Sequence, residues 1–436
     1  MTPQTLSLAW SALFAAALIG GTALKLWLAQ RQLRHVLAHR DEVPAPFRSR
    51  VSLQAHRKAA DYTVARLRFG LWTTLFSAVV VLAWTLEGGL QFLARWVGTA
   101  FGTALGGQLA LLAAFAVIGA LLDLPWDAAR TFGLEARFGF NRTTPRLFVL
   151  DLLKNALVGA VIMLPLALLV LWIMQVAGPW WWLWAWAGLT GFSLLMMVVY
   201  PLVIAPVFNK FRPLPDGEVK TRAQALMRRC DFKLKGLFVM DGSRRSAHAN
   251  AYFTGIGAGR RVVLFDTLLG QLDPAQIEGV LAHEVGHYKR HHIVKRMAAM
   301  FALSLAGFAL LGWLSNQIWF YTGLGVTPHL LAPNHAVALV LFSLALPVFG
   351  VFFSPLLAAT SRKHEFEADA YAAQHADARA LGEALIALYR DNASTLTPDP
   401  LYVRFYYSHP PALQRLERLG ALPEPPAGPK AAATAA

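Results

Sequence analysis

The stretch Asp273-Pro-Ala-Gln-Ile-Glu-Gly-Val-Leu-Ala-His-Glu-Val-Gly-His-Tyr-Lys-Arg290 carries the residue types for hydrolytic metal chemistry at helical spacing. Asp273 suits an N-cap and Pro274 the first helical position, so a helix is predicted to open there. On it His283 and His287 stand one turn apart, and both imidazoles project from one face, near enough to share a tetrahedral Zn²⁺. Glu284 lies beside them outside a ligand position, where its carboxylate can take a proton from a water on the metal. A helix that only shows two histidines to solvent is the competing reading. A third ligand separates the two.

From Ile293 to His364 the chain has neither Asp nor Glu, so Glu365 is the first carboxylate after that gap. His329 and His335 fall inside the interval, but the topology below puts them across a membrane. Glu365 and Asp369 share a helical face, whereas Glu367 points roughly the other way. Glu365 therefore suits the third ligand, and Asp369 the carboxylate that fixes a ligand histidine's tautomer. Two His and one Glu leave a fourth position to water, the pattern of a catalytic site holding one zinc per chain. The alternative is a solvated acidic face near a helix end.

The elements that must position these groups are mostly membrane helices. Of 436 residues 56% are hydrophobic and only 15% charged, which excludes a string of ordinary soluble domains. Weakly charged runs predict about seven spans: Leu6–Leu28, Phe69–Phe92, Leu105–Leu122, Ala156–Met174, Trp181–Ile204, Ala298–Tyr321 and Ala336–Ala359. The formal charge of +15 sits in loops beside these spans, which points to anionic lipid headgroups and not to nucleic acid. Cys230 is the single cysteine and reads as a small buried apolar residue.

Loop charge orients the spans. The first apolar run has no preceding positive charge and is followed by Arg31, Arg34, Arg40, Arg48 and Arg50, the polarity of an uncleaved span with its N-terminus outside. The Asp123–Arg146 loop is again basic, whereas Arg95–Thr103, Gln175–Trp180 and residues 322–335 carry little or no charge. The tryptophans of Trp180–Trp186 form an interfacial belt. Basic loops thus share one side, predicted to be the cytoplasm together with the C-terminus. Asp151 and Lys154, near a span end, are either cavity-lining groups or a satisfied Asp and a snorkelling Lys.

The resulting organisation places five spans in 1–206, a catalytic domain in 207–297, spans six and seven in 298–360, a cytoplasmic segment in 361–418 and a disordered Pro/Ala-rich tail from Leu419. Within the catalytic insertion a turn at Pro213–Gly217 leads to a helix ending near Arg229, then strand-like runs at Leu234–Met240, Ala251–Ile256 and Arg261–Leu269. A further helix is predicted from Ala370 to about Arg390. The fold class is a mainly α membrane protein with a small α+β zincin-like domain on its cytoplasmic side. His287 lies about 11 residues before the sixth span and Glu365 about six after the seventh, so the metal belongs near the membrane face. His409, isolated before two prolines, reads on its own as a turn residue.

Six ordered motifs carry a family resemblance: Leu134-Glu-Ala-Arg-Phe-Gly-Phe-Asn141, Ile204-Ala-Pro-Val-Phe-Asn-Lys-Phe211, Asn250-Ala-Tyr-Phe-Thr-Gly255, His283-Glu-Val-Gly-His287, Glu365-Phe-Glu-Ala-Asp369 and Ser408-His-Pro-Pro411. The chain resembles the integral-membrane zinc metalloproteases of the CAAX prenyl protease type. The resemblance implies seven helices around a water-filled chamber, with His283, His287 and Glu365 as ligands and Glu284 as general base and acid. It also implies that His409 stabilises an oxyanion, that Arg415 supports the site, and that Asn250 and Ala251 belong to an edge strand that pairs with extended substrate. Substrates would be peptides or proteins, lipidated or membrane-bound; in eukaryotic relatives they are prenylated C-a-a-X proteins that lose their last three residues. The Ala/Arg/Trp-rich composition reads as bacterial, with residence in the cytoplasmic membrane. Two rivals are a membrane quality-control protease of the HtpX type and, in another class, a transporter or scaffold with an inert metal site.

Overall fold

Long apolar runs leave the backbone in lipid no partner except itself, so they form helices. The computed structural model describes residues 2–254 and 261–422. In chain order its helices begin with α1 (Pro3–Ala38), α2 (Leu53–Trp84), α3 (Gly89–Phe101), α4 (Leu105–Ala128), α5 (Pro145–Val176), α6 (Trp181–Val199) and the short α7 (Ala205–Phe208). The polar insertion follows as β1 (Phe211–Pro213), α8 (Glu218–Arg229), β2 (Gly236–Met240), β3 (Ala251–Thr254), β4 (Arg261–Phe265), α9 (Asp266–Gln271) and α10 (Pro274–Lys289). The chain ends with α11 (His292–Leu314), α12 (Ile318–Thr322), α13 (His335–Gly350), α14 (Ser354–His375), α15 (Ala378–Asp391), α16 (Pro400–Tyr406) and α17 (Ala412–Leu419).

Seven helical stretches among the described residues are long and apolar enough to cross a membrane, as the spans predict. Their outward side chains, such as Leu121, Leu157 and Leu303, stay more than 60% exposed, a surface that lipid covers. Two boundaries differ from expectation. The second span ends at Trp84 and not near Phe92, because Gly88 adopts φ +77° and turns the chain into α3. The presumed link at Arg95–Thr103 is therefore mostly helix, with Leu90, Leu93 and Val97 buried on one face. The sixth span stops at Leu314, and Ile318–Thr322 form a separate turn of helix.

The insertion folds as a four-stranded sheet in the order β1-β2-β4-β3. β2 and β4 are parallel, and β1 and β3 flank them antiparallel, so β3 is an edge strand. β1 is missed by sequence patterning because three residues are too few for a period. Residues 266–269, expected to continue a strand, are helix: Asp266 Oδ1 accepts hydrogen bonds from the N–H groups of Thr267 and Ser243 and redirects the chain. Gly255 and Ile256, expected in the edge strand, lie outside the described residues, as does the tail beyond Leu422. Leu419 to Leu422, expected to be disordered, are described, and the Leu419 and Ala421 side chains pack on buried apolar groups.

Side chains of α8, the sheet, α10, α14 and α15 share one core containing Leu226, Leu264, Ile277, Leu281, Val285 and Leu381. Cys230 joins it, 4% exposed. α10 approaches its neighbours backbone to backbone at two glycines. A Cβ on Gly286 would lie 2.9 Å from the Ala368 carbonyl oxygen, and one on Gly279 3.0 Å from the Leu381 backbone nitrogen. Gly286→Ala is expected to force α10 and α14 apart and cost about 1–3 kcal/mol, whereas Gly307→Ala, with open space at its Cβ, is near neutral; thermal melts of both variants in detergent check this.

Candidate metal centre

Asp273 caps α10 as its sequence predicts: Oδ1 accepts from the N–H groups of Ala275 and Gln276, and the Gln276 side chain accepts from Asp273 N–H at 3.1 Å. Starting there puts His283 and His287 on the side facing α14. The seventh span, α13, runs through a 3₁₀ turn into α14 without a break, so the helix that crosses the membrane also delivers Glu365. His283 Nε2, His287 Nε2 and the Glu365 carboxylate converge: Nε2 to Nε2 is 3.1 Å, and Glu365 oxygens lie 3.5 Å from His283 and 3.3 Å from His287.

The surrounding network assigns the tautomers. Asp369 Oδ1 accepts from His283 Nδ1 at 2.8 Å, which leaves His283 Nε2 as a lone pair. Glu367 Oε2 accepts from His292 Nε2 at 2.9 Å, so His292 Nδ1 is the acceptor that takes a hydrogen bond from His287 Nδ1 at 3.1 Å. His287 Nε2 is then a lone pair as well. Two inward ring nitrogens and a carboxylate, whose Oε2 has no hydrogen-bond partner, form a ligand set that a cation between them would complete. A tetrahedral ion about 2.0–2.1 Å from each ligand would set the ligands about 3.3 Å apart, which is the spacing found. The residues fit a metal.

Arg415, on α17 and 5% exposed, donates to both Asp369 oxygens, at 2.8 and 2.6 Å, and lies 3.9 Å from Glu365. Burial alone would lower the His283 pKa, but Asp369 and Glu365 reverse this and hold it up to about 9. The cluster is thus built to hold positive charge. Burial pushes the Glu284 carboxyl above its usual range, opposed by His283 and His287. Burial lowers the His409 pKa, and that ring's Nε2 lies 3.5 Å from Glu365 Oε1 beside the ligands. His283, Glu284, His409, Arg415, Asn250 and Ala251 all wall one cavity of about 760 Å³. The metal-binding cluster thus opens onto the cavity that Glu284, His409, Asn250 and Ala251 share.

Other expectations resolve differently. Asp151 and Lys154 are not in the wall of the reaction cavity: Asp151 takes a bidentate pair from Arg245 at 2.7 and 2.9 Å, and Lys154 donates to the Val207 carbonyl. Reading from sequence missed His292, and it missed what Glu367 does by pointing away from the metal. The spacing from His287 to His292 is not helical, because His291 at φ +57° breaks the chain between α10 and α11. His364 stacks on the His292 ring at 4.1 Å and holds its plane.

A metal-binding cluster with a poised carboxylate and an edge strand, seated on seven membrane helices, defines a membrane metallopeptidase. Residues 32–210 match the family model described as CAAX prenyl protease N-terminal, five membrane helices, and residues 213–422 match peptidase family M48. The CAAX prenyl protease 1 homolog of Mus musculus is 31% identical over 93% of this chain and 95% of its own length. That of Arabidopsis thaliana is 35% identical over 71% of this chain and 73% of its own. The crystal structure of S. mikatae Ste24p superposes with a TM-score of 0.87 at 29% identity, covering 94% of this chain and 99% of that one. The chain belongs to the CAAX prenyl protease family of M48 peptidases. It is a metalloendopeptidase, and neither the HtpX-type nor the transporter reading is favoured.

His292→Phe removes the acceptor behind His287 and is expected to weaken metal binding about 10- to 100-fold. Glu367→Gln keeps an acceptor oxygen and should stay near wild type. Metal titration against a competing chelator separates the two.

Proposed function

We propose that the chain is a zinc endopeptidase that cuts peptide or membrane-associated protein substrates close to their C-terminus, at the cytoplasmic face of a bacterial cytoplasmic membrane. The observation that carries this reading is the convergence of two imidazole lone pairs and a carboxylate in one cavity with Glu284 and the edge strand β3. His283, His287 and Glu365 would hold the ion. When bound, zinc polarises a peptide carbonyl and lowers the pKa of water to about 7.

The chain's own groups supply the rest. Asp369 and the His292–Glu367 pair orient both ligand histidines, with Arg415 locking Asp369. Glu284, its carboxyl held up by burial, accepts a proton from water and returns it to the leaving amine. His409, whose Nε2 lies beside the ligands, donates a hydrogen bond to the developing oxyanion. Asn250, whose carbonyl accepts from Phe265 N–H, leads into β3, and Ala251 at the start of that edge strand faces an extended substrate in the cavity. By the resemblance, the bond cut precedes the last three residues of a C-a-a-X terminus. Basic loops set beside neutral ones support a cytoplasmic active site, an external N-terminus and attraction to anionic headgroups.

The test uses detergent-purified wild type and Glu284→Gln with a farnesylated C-a-a-X peptide and its unprenylated twin. Glu284→Gln should retain one zinc per chain and lose cleavage by about 10²- to 10⁴-fold, and wild-type cleavage should be chelator-sensitive. Wild-type rates in the variant would remove Glu284 from the mechanism.

A further inference from the structure

The wall of the reaction cavity is not built by the catalytic domain alone. Two membrane helices contribute: α1 presents Lys25 and Gln32, and α2 presents Thr63, Arg66 and Thr74. Lys25 and Thr74 also border a second cavity of about 380 Å³ between α1, α2 and α13, which is lined mainly by apolar groups. Lys25 therefore stands where a polar reaction cavity meets an apolar space among the spans.

Its charge has no internal partner. Several basic residues near these helices do have one: Arg31 pairs with Asp399 at 2.9 Å, Arg40 with Asp61 at 2.7 Å and Arg57 with Asp41 at 2.7 Å. Lys25 makes no hydrogen bond or ion pair with any described group, and Arg66 only lies over the Tyr62 ring at 5.4 Å. Arg415, the other cation in the wall, is committed to Asp369. Among the described residues the cavity wall contains one carboxylate, Glu284, which belongs to the reaction. Lys25 and Arg66 are both exposed, and cations that open onto a cavity beside membrane-spanning segments mark a place where an anion arrives from outside.

We propose that Lys25 and Arg66 form a subsite for the C-terminal carboxylate of the peptide substrate. The inference rests on the peptidase reading and deepens it. A cavity of about 760 Å³ suits a ligand of a few residues, not a folded chain. Of the two ends a chain could insert, only the C-terminus brings negative charge; an N-terminal ammonium meets two like charges. The subsite therefore favours one chain direction along the edge of β3 and favours cutting near a free C-terminus.

The experiment is a binding measurement on full-length, zinc-loaded protein carrying Glu284→Gln, which holds peptide without turnover. Fluorescent C-a-a-X peptides with a free carboxylate and with a C-terminal amide are titrated against this background, alone and combined with Lys25→Gln, Arg66→Gln or Lys25→Arg. The acid peptide should bind about 10- to 100-fold tighter than the amide. Each Gln substitution should weaken the acid peptide at least about tenfold and the amide less than about twofold, while Lys25→Arg retains the preference. Equal affinity for acid and amide, equal losses on both peptides, or no binding of the acid peptide would overturn the subsite. Thermal melts and zinc content separate misfolded variants from informative ones. A wild type that binds the acid peptide selectively but cleaves nothing would sink the peptidase reading and leave the subsite standing.

Discussion

The contact on which the site depends is the backbone-to-backbone approach of α10 and α14. Gly286 lies between the two ligand histidines in sequence and lacks the Cβ that would hold Ala368 away. The ligand atoms are only 3.1–3.5 Å apart, so a separation of one methyl group would leave two histidines on one helix and a glutamate out of reach on another. Proteins close-pack such interfaces, and little relaxation is available to absorb the change.

Around this contact the polar groups form two outward chains of hydrogen bonds. One runs from His283 through Asp369 to Arg415, the other from His287 through His292 to Glu367. Each ends on a charge that fixes where the protons sit, and the result is lone pairs pointing inward from both rings. The buried Arg415–Asp369 pair is weak evidence for stability, since desolvation offsets much of its attraction. Its physical effect is on orientation: α17 holds Asp369, and Asp369 holds the ring.

The membrane helices are part of the catalytic apparatus and not a mere anchor. At about 1.5 Å per residue the 36 residues of α1 span about 54 Å, well beyond a hydrocarbon core of about 30 Å. The excess of α1 and α2 rises beside the metal centre and walls its cavity, and the seventh span continues into the helix that carries Glu365. Membrane spans and site thus share one continuous framework of helices.

Much of this was legible in the residues because it is local. The N-cap of α10, the one-turn spacing of His283 and His287, the shared face of Glu365 and Asp369, and the apolar lengths of the spans all follow from helical periodicity and transfer energy. Where local signals conflicted with a glycine or an aspartate, as at Gly88 and Asp266, hydropathy misplaced a boundary. What only the tertiary structure decided is which distant groups meet: His292 behind His287 across a broken helix, Glu367 turned to a use away from the metal, and Lys25 and Arg66 brought from the first two spans to the wall of the reaction cavity. None of these has a sequence period, because each depends on helix crossings set by packing between segments tens to hundreds of residues apart.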